Sequence, residues 1–239
     1  MEFPLRINKY LAETGVATRR GADTLVEKGV VFVNGKKANV GQMVAKADKV
    51  EVRTSKNATP TEYTYIAYHK PAGELTFGGS DETERDLLMR LEKEYEVTGL
   101  TPIGRLEKAN AGLILLTNDG RVTRRLFADD AEFDREYIVT VDKRMFGAVY
   151  AQLERGMKIE RAKTKPAKVE RIDSKTFRLT IQEGKKHQIK RMLAACGYQI
   201  MRLVRVRVAT ISIGKMKPGQ FRVLKGAELK EFLDTLAIK

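Results

Sequence analysis

Apolar positions near the start of the chain fall at helical spacing. Leu5, Ile7, Tyr10 and Leu11 line one face before Gly15 breaks the pattern. Thr18 is placed to cap a second helix over 19–28, which Gly29 stops. The period then changes. Val30-Val31-Phe32-Val33 followed by Asn34-Gly35 predicts a strand entering a tight hairpin turn, and residues 49–52 supply another short strand. Together these elements form a helix-helix-strands module over residues 5–53, of a size that buries little surface alone. Residues 54–61 are polar and aperiodic and include Pro60, which suits a linker. The expected organisation is a module over 1–55, a linker over 56–62 and a larger domain over 63–239.

In the larger domain, strand patterns occur at 63–68, 113–116, 136–141, 168–172, 177–182, 200–208, 210–213 and 221–224. Helix patterns occur at 84–91, 121–127, 146–155, 187–196 and 227–236. Strands outnumber helices and no βαβ period repeats, so the expected class is α+β on a largely antiparallel sheet.

Composition sharpens the picture. Of 239 residues, 42% are hydrophobic and 32% charged, which supports a folded core. The single cysteine, Cys196, rules out a disulfide framework and a cysteine-based zinc site and fits a reducing compartment. The opening MEFPLRINKY lacks a basic region followed by an apolar one, and no apolar run reaches the roughly 18 residues that span a bilayer. The cytoplasm and no membrane partner are therefore expected. Lys and Arg total 45 against 31 Asp and Glu, a net charge of +14, which points to a polyanion such as nucleic acid. Residues 184–227 hold 11 Lys and Arg and no acidic residue. A solvated face normally mixes signs, so this run reads as a phosphate-contacting surface.

Two local patterns carry chemistry. Arg19 and Arg20 open the second helix, with Lys9 on the first helix and Lys36-Lys37 after the hairpin turn. A helix N-terminus with guanidinium groups beside it suits phosphate, although surface charge alone also produces such a pattern. Further along, Gly104-Arg105-Leu106-Glu107 forms a glycine turn bearing a carboxylate, followed by the apolar strand Gly112-Leu113-Ile114-Leu115-Leu116 and the turn Asn118-Asp119-Gly120. On its own, an Arg and a Glu beside a glycine make a surface ion pair as readily as a catalytic group. There is no dinucleotide-binding glycine fingerprint, P-loop or metal-ligand cluster, so no cofactor and no metal are expected.

The segments Arg6-Ile7-Asn8-Lys9-Tyr10-Leu11, Thr18-Arg19-Arg20 and Val33-Asn34-Gly35-Lys36 closely resemble the S-four-type RNA-binding module. The stretch 102–120 resembles the signature of RsuA-type ribosomal RNA pseudouridine synthases, in which Gly-Arg-Leu-Asp precedes a Gly-Leu-x-x-x-Thr-Asn-Asp-Gly strand. Lys70-Pro71-Ala72-Gly73 is similar to that family's Lys-Pro-x-Gly turn. Arg135-Glu136-Tyr137 is similar to its Lys-Glu-Tyr strand, and Gly184-Lys185-Lys186-His187-Gln188-Ile189-Lys190 to its Gly-x-x-His-Gln-basic motif. The resemblance spans almost the whole chain and is most marked for the large-subunit branch, RluF.

The resemblance implies an isomerase that breaks the bond from ribose to uracil N1, turns the base and rejoins it through carbon 5, acting on ribosomal RNA with transfer RNA as a second candidate. It places Glu107, Tyr137 and Lys190 in the catalytic site, with Arg105 and Ile181 in support. Tyr137 would face the flipped uridine, and Lys190 would pair with the carboxylate. Lys9, Arg19, Arg20, Lys36, Lys37, Lys185, Lys186, His187, Arg191, Arg202, Arg205 and Arg207 would contact RNA, and a monomer is expected.

The chain departs from the pattern at Glu107, where the family has Asp, and at Asn110, where it usually has Ser or Thr. Glu carries its carboxylate about one methylene further out, and a misplacement of about 1 Å can cost on the order of a hundredfold in rate. Either the longer acid is a handicap, or the pocket has adapted to it. A non-catalytic RNA-binding ribosome assembly factor of the same fold is the alternative. A general single-strand binder would call for more exposed aromatics than the 7% in this chain.

Overall fold

The computed structural model describes residues 3–14, 16–17, 19–53, 63–74, 88, 91, 93–97, 100–104, 106–128, 131–159, 162–185 and 187–238. The linker 56–62, most of the helix expected over 84–91, Gly15, Thr18, Arg105, Lys186 and the side chain of Arg20 lie outside the described residues.

The first module runs β1 (Leu5–Arg6), α1 (Ile7–Glu13), α2 (Arg19–Glu27), β2 (Val31–Val33), β3 (Lys36–Lys37), β4 (Met43–Val44) and β5 (Val50–Val52). Helical spacing starts at Leu5, but Leu5 and Arg6 pair antiparallel with Val44 and Met43, so the helix begins only at Ile7. Asn34 and Gly35 both take positive φ (51° and 79°), as the two-residue turn between β2 and β3 requires. Asn34 fastens that turn further by donating to Asp48 Oδ1 at 2.8 Å and accepting the Lys49 N–H at 2.9 Å. β3, β2 and β5 make a three-stranded antiparallel sheet. Its apolar face closes on the helices around Ile7, Leu11, Ala22, Val26, Val31 and Val33.

The second domain adds β6 (Tyr65–Lys70), β7 (Thr101–Ile103), β8 (Ala111–Thr117), α3 (Gly120–Leu126), β9 (Arg135–Val141), α4 (Gly147–Arg155), β10 (Lys158–Ile159) and β11 (Ala162–Lys163). It continues with β12 (Lys168–Arg171), β13 (Thr176–Ile181), α5 (Gln188–Ala195), β14 (Ile200–Val208), β15 (Ile211–Ser212), β16 (Phe221–Val223) and α6 (Gly226–Thr235). A nine-stranded sheet orders them β12-β13-β9-β14-β8-β6-β16, with β15 on β14 and β7 on β8. Every pairing is antiparallel except β14 with β8, in keeping with the expected α+β class. β9 alternates buried and half-buried positions because helices cover one face; Tyr137, Val139 and Val141 pack with Tyr150 and Leu153 of α4 and Met192 and Leu193 of α5. β8 is buried on both faces and is apolar almost throughout. Leu113 and Leu115 meet Val122 and Leu126 of α3 and Phe232 of α6, whereas Leu116 meets Leu91 and Leu100.

The parallel join centres on Gly112, whose φ of +122° is open to glycine and whose partner is Arg205. A Cβ at Gly112 would lie 2.3 Å from the Arg205 carbonyl oxygen and 2.4 Å from its nitrogen. The register of β14 against β9 shifts between Arg205 and Arg207, a bulge at Val206. The two domains touch where α1 packs on α3, and Arg124 Nη2 donates to the Ala12 carbonyl at 3.3 Å.

The turn expected at Asn118-Asp119-Gly120 is the start of α3. The fully buried Asp119 caps it, accepting the Arg121 N–H at 3.0 Å, the Arg121 guanidinium at 2.9 Å and the Tyr65 hydroxyl at 2.7 Å. β7 has no forerunner in the pattern because Pro102 interrupts its run, and Pro argues against a strand.

Candidate active site

The site is built on the turn from β7 into β8. Gly104 takes φ +74°, and a Cβ there would lie 3.1 Å from Phe127 Cζ and 3.5 Å from an Arg205 guanidinium nitrogen. The Asn110 N–H closes the turn on the Glu107 carbonyl at 3.0 Å. From behind, the Lys-Pro-x-Gly turn holds it. The Gly73 N–H donates to the Lys108 carbonyl at 2.7 Å, and Lys70 Nζ donates to Pro71 O at 2.8 Å and Glu74 O at 2.7 Å and approaches Lys108 O at 3.5 Å. Lys70 is 1% exposed, and its burial pushes the ammonium below its ordinary pKa. This lysine therefore serves as a hydrogen-bonding hub for backbone carbonyls.

On this frame the Glu107 side chain points outward, 40% exposed, and His187 Nδ1 hydrogen-bonds its Oε1. Among the described residues Lys190 forms no ion pair with Glu107; it stands exposed on α5, one turn beyond His187. The difference has a local cause. His187 adopts the left-handed conformation, φ 53° and ψ 28°, ahead of α5, and this swings the imidazole toward the 104–110 turn. The buried Gln188 stabilises that approach by accepting the Lys185 N–H at 3.1 Å and donating to Glu183 Oε1 at 2.8 Å.

Tyr137 and Ile181 are 8% and 4% exposed and share one core with Leu179, Ile189 and Leu203. Tyr137 pairs with Leu179 on one side and Arg205 on the other. Expected from the sequence to contact RNA, Arg205 is instead 4% exposed. The bulge after it puts Arg205 opposite the buried Tyr137 and Arg207 opposite Glu136, and β14 is buried on both faces over Leu203 to Arg205. Its Nε donates to Leu113 O at 2.8 Å, while Nη2 is buried without a partner among the described residues. Arg135 is buried nearby and donates to Gln182 O and Leu126 O, each at 2.9 Å. Burial pushes its guanidinium below its ordinary pKa; Tyr137 opposes that shift and the Arg205 charge adds to it. Arg205 thus backs the Gly104 end of the turn that carries Glu107 and Arg135 lies against Gly184, and neither pairs with a carboxylate among the described residues.

The remaining cations divide clearly. Arg19, Lys36, Lys37 and Arg202 are exposed and form no ion pair among the described residues. Lys9 faces Glu13 at 3.7 Å and Lys185 pairs with Glu183 at 2.9 Å. Arg191 is half-buried on α5. Arg207 is held by Glu136 at 3.1 Å and Asp134 at 3.4 Å and donates to Ala209 O at 2.7 Å, so its charge is largely neutralised within the protein. Sequence reasoning passes over Phe127, 51% exposed, with the Arg135 guanidinium 5.6 Å from its ring centroid. The helix pattern over 121–127 includes it, but the helix ends at Leu126 and leaves Phe127 at the C-cap. Among the described residues no group of three or more His, Cys, Asp or Glu side chains could hold a metal ion, and no helix is long and apolar enough to cross a membrane.

Comparison with known proteins agrees with this layout. Residues 64–195 match the RNA pseudouridylate synthase family model, and residues 5–50 match the S4 domain. The chain is 34% identical over 226 residues to the dual-specificity RNA pseudouridine synthase RluF of Salmonella typhi, covering 94% of this chain and 77% of that one. It is 34% identical over 232 residues to the ribosomal large subunit pseudouridine synthase B of Bacillus subtilis (strain 168), covering 94% of each. A crystal structure of a pseudouridylate synthase superposes with a TM-score of 0.65 at 26% identity, covering 95% of this chain and 99% of that one.

Proposed function

Because the chain belongs to the RNA pseudouridine synthase family, we propose that it isomerises a specific uridine in structured large-subunit ribosomal RNA, with Glu107 in the role of the family's aspartate. The observation that carries this reading is the Glu107 carboxylate itself. It stands open to solvent on a turn clasped through the Lys108 carbonyl and is met by His187. The large-subunit substrate is supported by the name of the Bacillus subtilis relative.

In the reaction the bond from ribose C1′ to N1 breaks, the base turns, C1′ bonds to C5, the C5 proton leaves and N1 takes up a proton. Nothing is oxidised and no group is lost. The carboxylate acts at the ribose, as nucleophile on C1′ or as base. Tyr137 and Ile181 give the base an apolar wall, and Arg205 braces the strand behind the turn that carries Glu107 by donating to the Leu113 carbonyl. The target uridine must leave its helix to reach the carboxylate, and exposed Arg19, Lys36, Lys37, Lys190 and Arg202, with Arg20 and Lys186 beside them in sequence, hold the displaced backbone by its phosphates.

Tritium at uracil C5 reports the reaction, since each isomerisation releases one label. Large-subunit RNA carrying [5-³H]uridine should lose label at one site per molecule in the presence of the protein. Glu107→Gln should slow release by at least about a hundredfold at unchanged RNA affinity. Release that ignores Glu107→Gln would contradict the assignment. RNA binding without any release would favour the assembly-factor reading, for which the Glu-for-Asp exchange is the motivating observation.

A further inference from the structure

We propose that His187 is the positioning residue of the reacting carboxylate. Its imidazole, and not the Lys190 ammonium, holds Glu107 in the orientation the reaction uses. This rests on the pseudouridine synthase reading, because it assigns a role within that site.

Three observations carry it. The first is the contact itself: His187 Nδ1 meets Glu107 Oε1, and among the described residues no other side chain bonds that carboxylate. An Nδ1–H donates to a carboxylate whether the ring is neutral or protonated, so the contact fixes the direction of the acid. The second is backbone conformation. His187 sits in the left-handed region at the N-cap of α5, where a glycine or a capping Asn is the usual solution. It makes no side-chain cap bond, so its imidazole does nothing for the helix and is directed at Glu107 instead. Gln188, buried and bonded to Glu183 and the Lys185 N–H, holds that conformation in place. The third is reach. An aspartate at 107 would end about one carbon–carbon bond short of the imidazole, about 1.5 Å, whereas glutamate arrives at it. The longer acid and the imidazole are therefore matched parts, and Lys190 is left exposed for phosphate.

The test uses the full chain as wild type, His187→Gln, His187→Gly, Glu107→Asp and the double variant His187→Gln/Glu107→Asp. Single-turnover pseudouridine formation, RNA affinity and the thermal midpoint are measured for each. His187→Gln should slow the reaction at saturating RNA by about tenfold or more, with affinity within about twofold. His187→Gly, suited to the left-handed backbone, should keep or raise the thermal midpoint and yet lose the same rate, which a purely structural residue would not do. Glu107→Asp should also slow the reaction. Because both substitutions remove one interaction, the double variant should be no slower than the slower single one. An active wild type with His187→Gln within twofold of it, penalties that multiply in the double variant, or a faster Glu107→Asp would overturn the role of His187 while leaving the synthase reading intact. A wild type that binds RNA and forms no pseudouridine would overturn the synthase reading and this role with it. A ¹⁵N-detected His187 Nδ1 resonance unmoved by Glu107→Gln would overturn the contact alone, whatever the activity.

Discussion

Single atoms decide the geometry at residues 112 and 70. A methyl group at Gly112 would overlap the backbone of Arg205, and a φ of +122° excludes ordinary side chains, so strands β8 and β14 cannot pair with anything larger there. Gly112→Ala should destabilise the protein by about 3 kcal/mol or more, read as a lower denaturant midpoint; a variant as stable as wild type would contradict the close approach. Lys70 bonds the carbonyls of Pro71 and Glu74 from inside the protein, and Lys70→Met would leave both without a donor. The expected loss is about 2 kcal/mol, together with a slower reaction as the Glu107 turn loosens, and both are measurable on the folded variant below its melting temperature. Much of this scale is legible in sequence: the two motifs that meet at the site, around 104–107 and 184–190, are recognisable as strings of residues. Which member of the second motif reaches Glu107 is not. Lys190 is on the helix, His187 is in a left-handed turn before it, and hydrogen bonds of Gln188 to Glu183 and the Lys185 N–H hold that turn.

Among elements, period separates what sequence shows from what it hides. β9 alternates and β8 is a run of apolar residues, and each pattern predicts its strand because burial on one face or two leaves a different trace. The two-residue strands β1, β4, β10 and β11 are shorter than any period, and Pro102 conceals β7. The bulge at Val206 has no sequence signature, and for that reason strict alternation puts Arg205 and Arg207 on one face although the structure buries only the first. Among the described residues the apolar clusters of the second domain contain none before Tyr63, and that of the first module none after Val52. Removing residues 1–55 therefore costs the second domain little beyond the α1–α3 contact, and the remainder should melt cooperatively within a few degrees of the full chain while binding RNA more weakly. Loss of cooperative melting, or unchanged RNA affinity, would refute this division of labour.

For the whole molecule, charge governs encounter and the carboxylate governs outcome. With a net charge of +14 and exposed cations at Arg19, Lys36, Lys37, Lys190 and Arg202 that form no ion pair among the described residues, RNA affinity should fall steeply with salt. Five phosphate contacts at about 0.7–0.9 each give a slope of about −4 in log affinity against log salt. Lys36→Ala with Lys37→Ala should flatten that slope by about 1.5, read by filter binding over a salt series. A slope near −1 would mean that these cations do not meet phosphate. Net charge and the basic run over 184–227 are plain in the sequence, but which cations remain available is not, because Arg205 is buried and Arg207 is neutralised by residues far away in the chain. A reacting carboxylate at Glu107 leaves its mark on the RNA. The most direct test maps pseudouridine at single-nucleotide resolution across ribosomal RNA from cells lacking the protein, restored with the wild type or with Glu107→Gln. A large-subunit position modified with the wild type and unmodified both in its absence and with Glu107→Gln is the predicted result; identical maps in all three would contradict it.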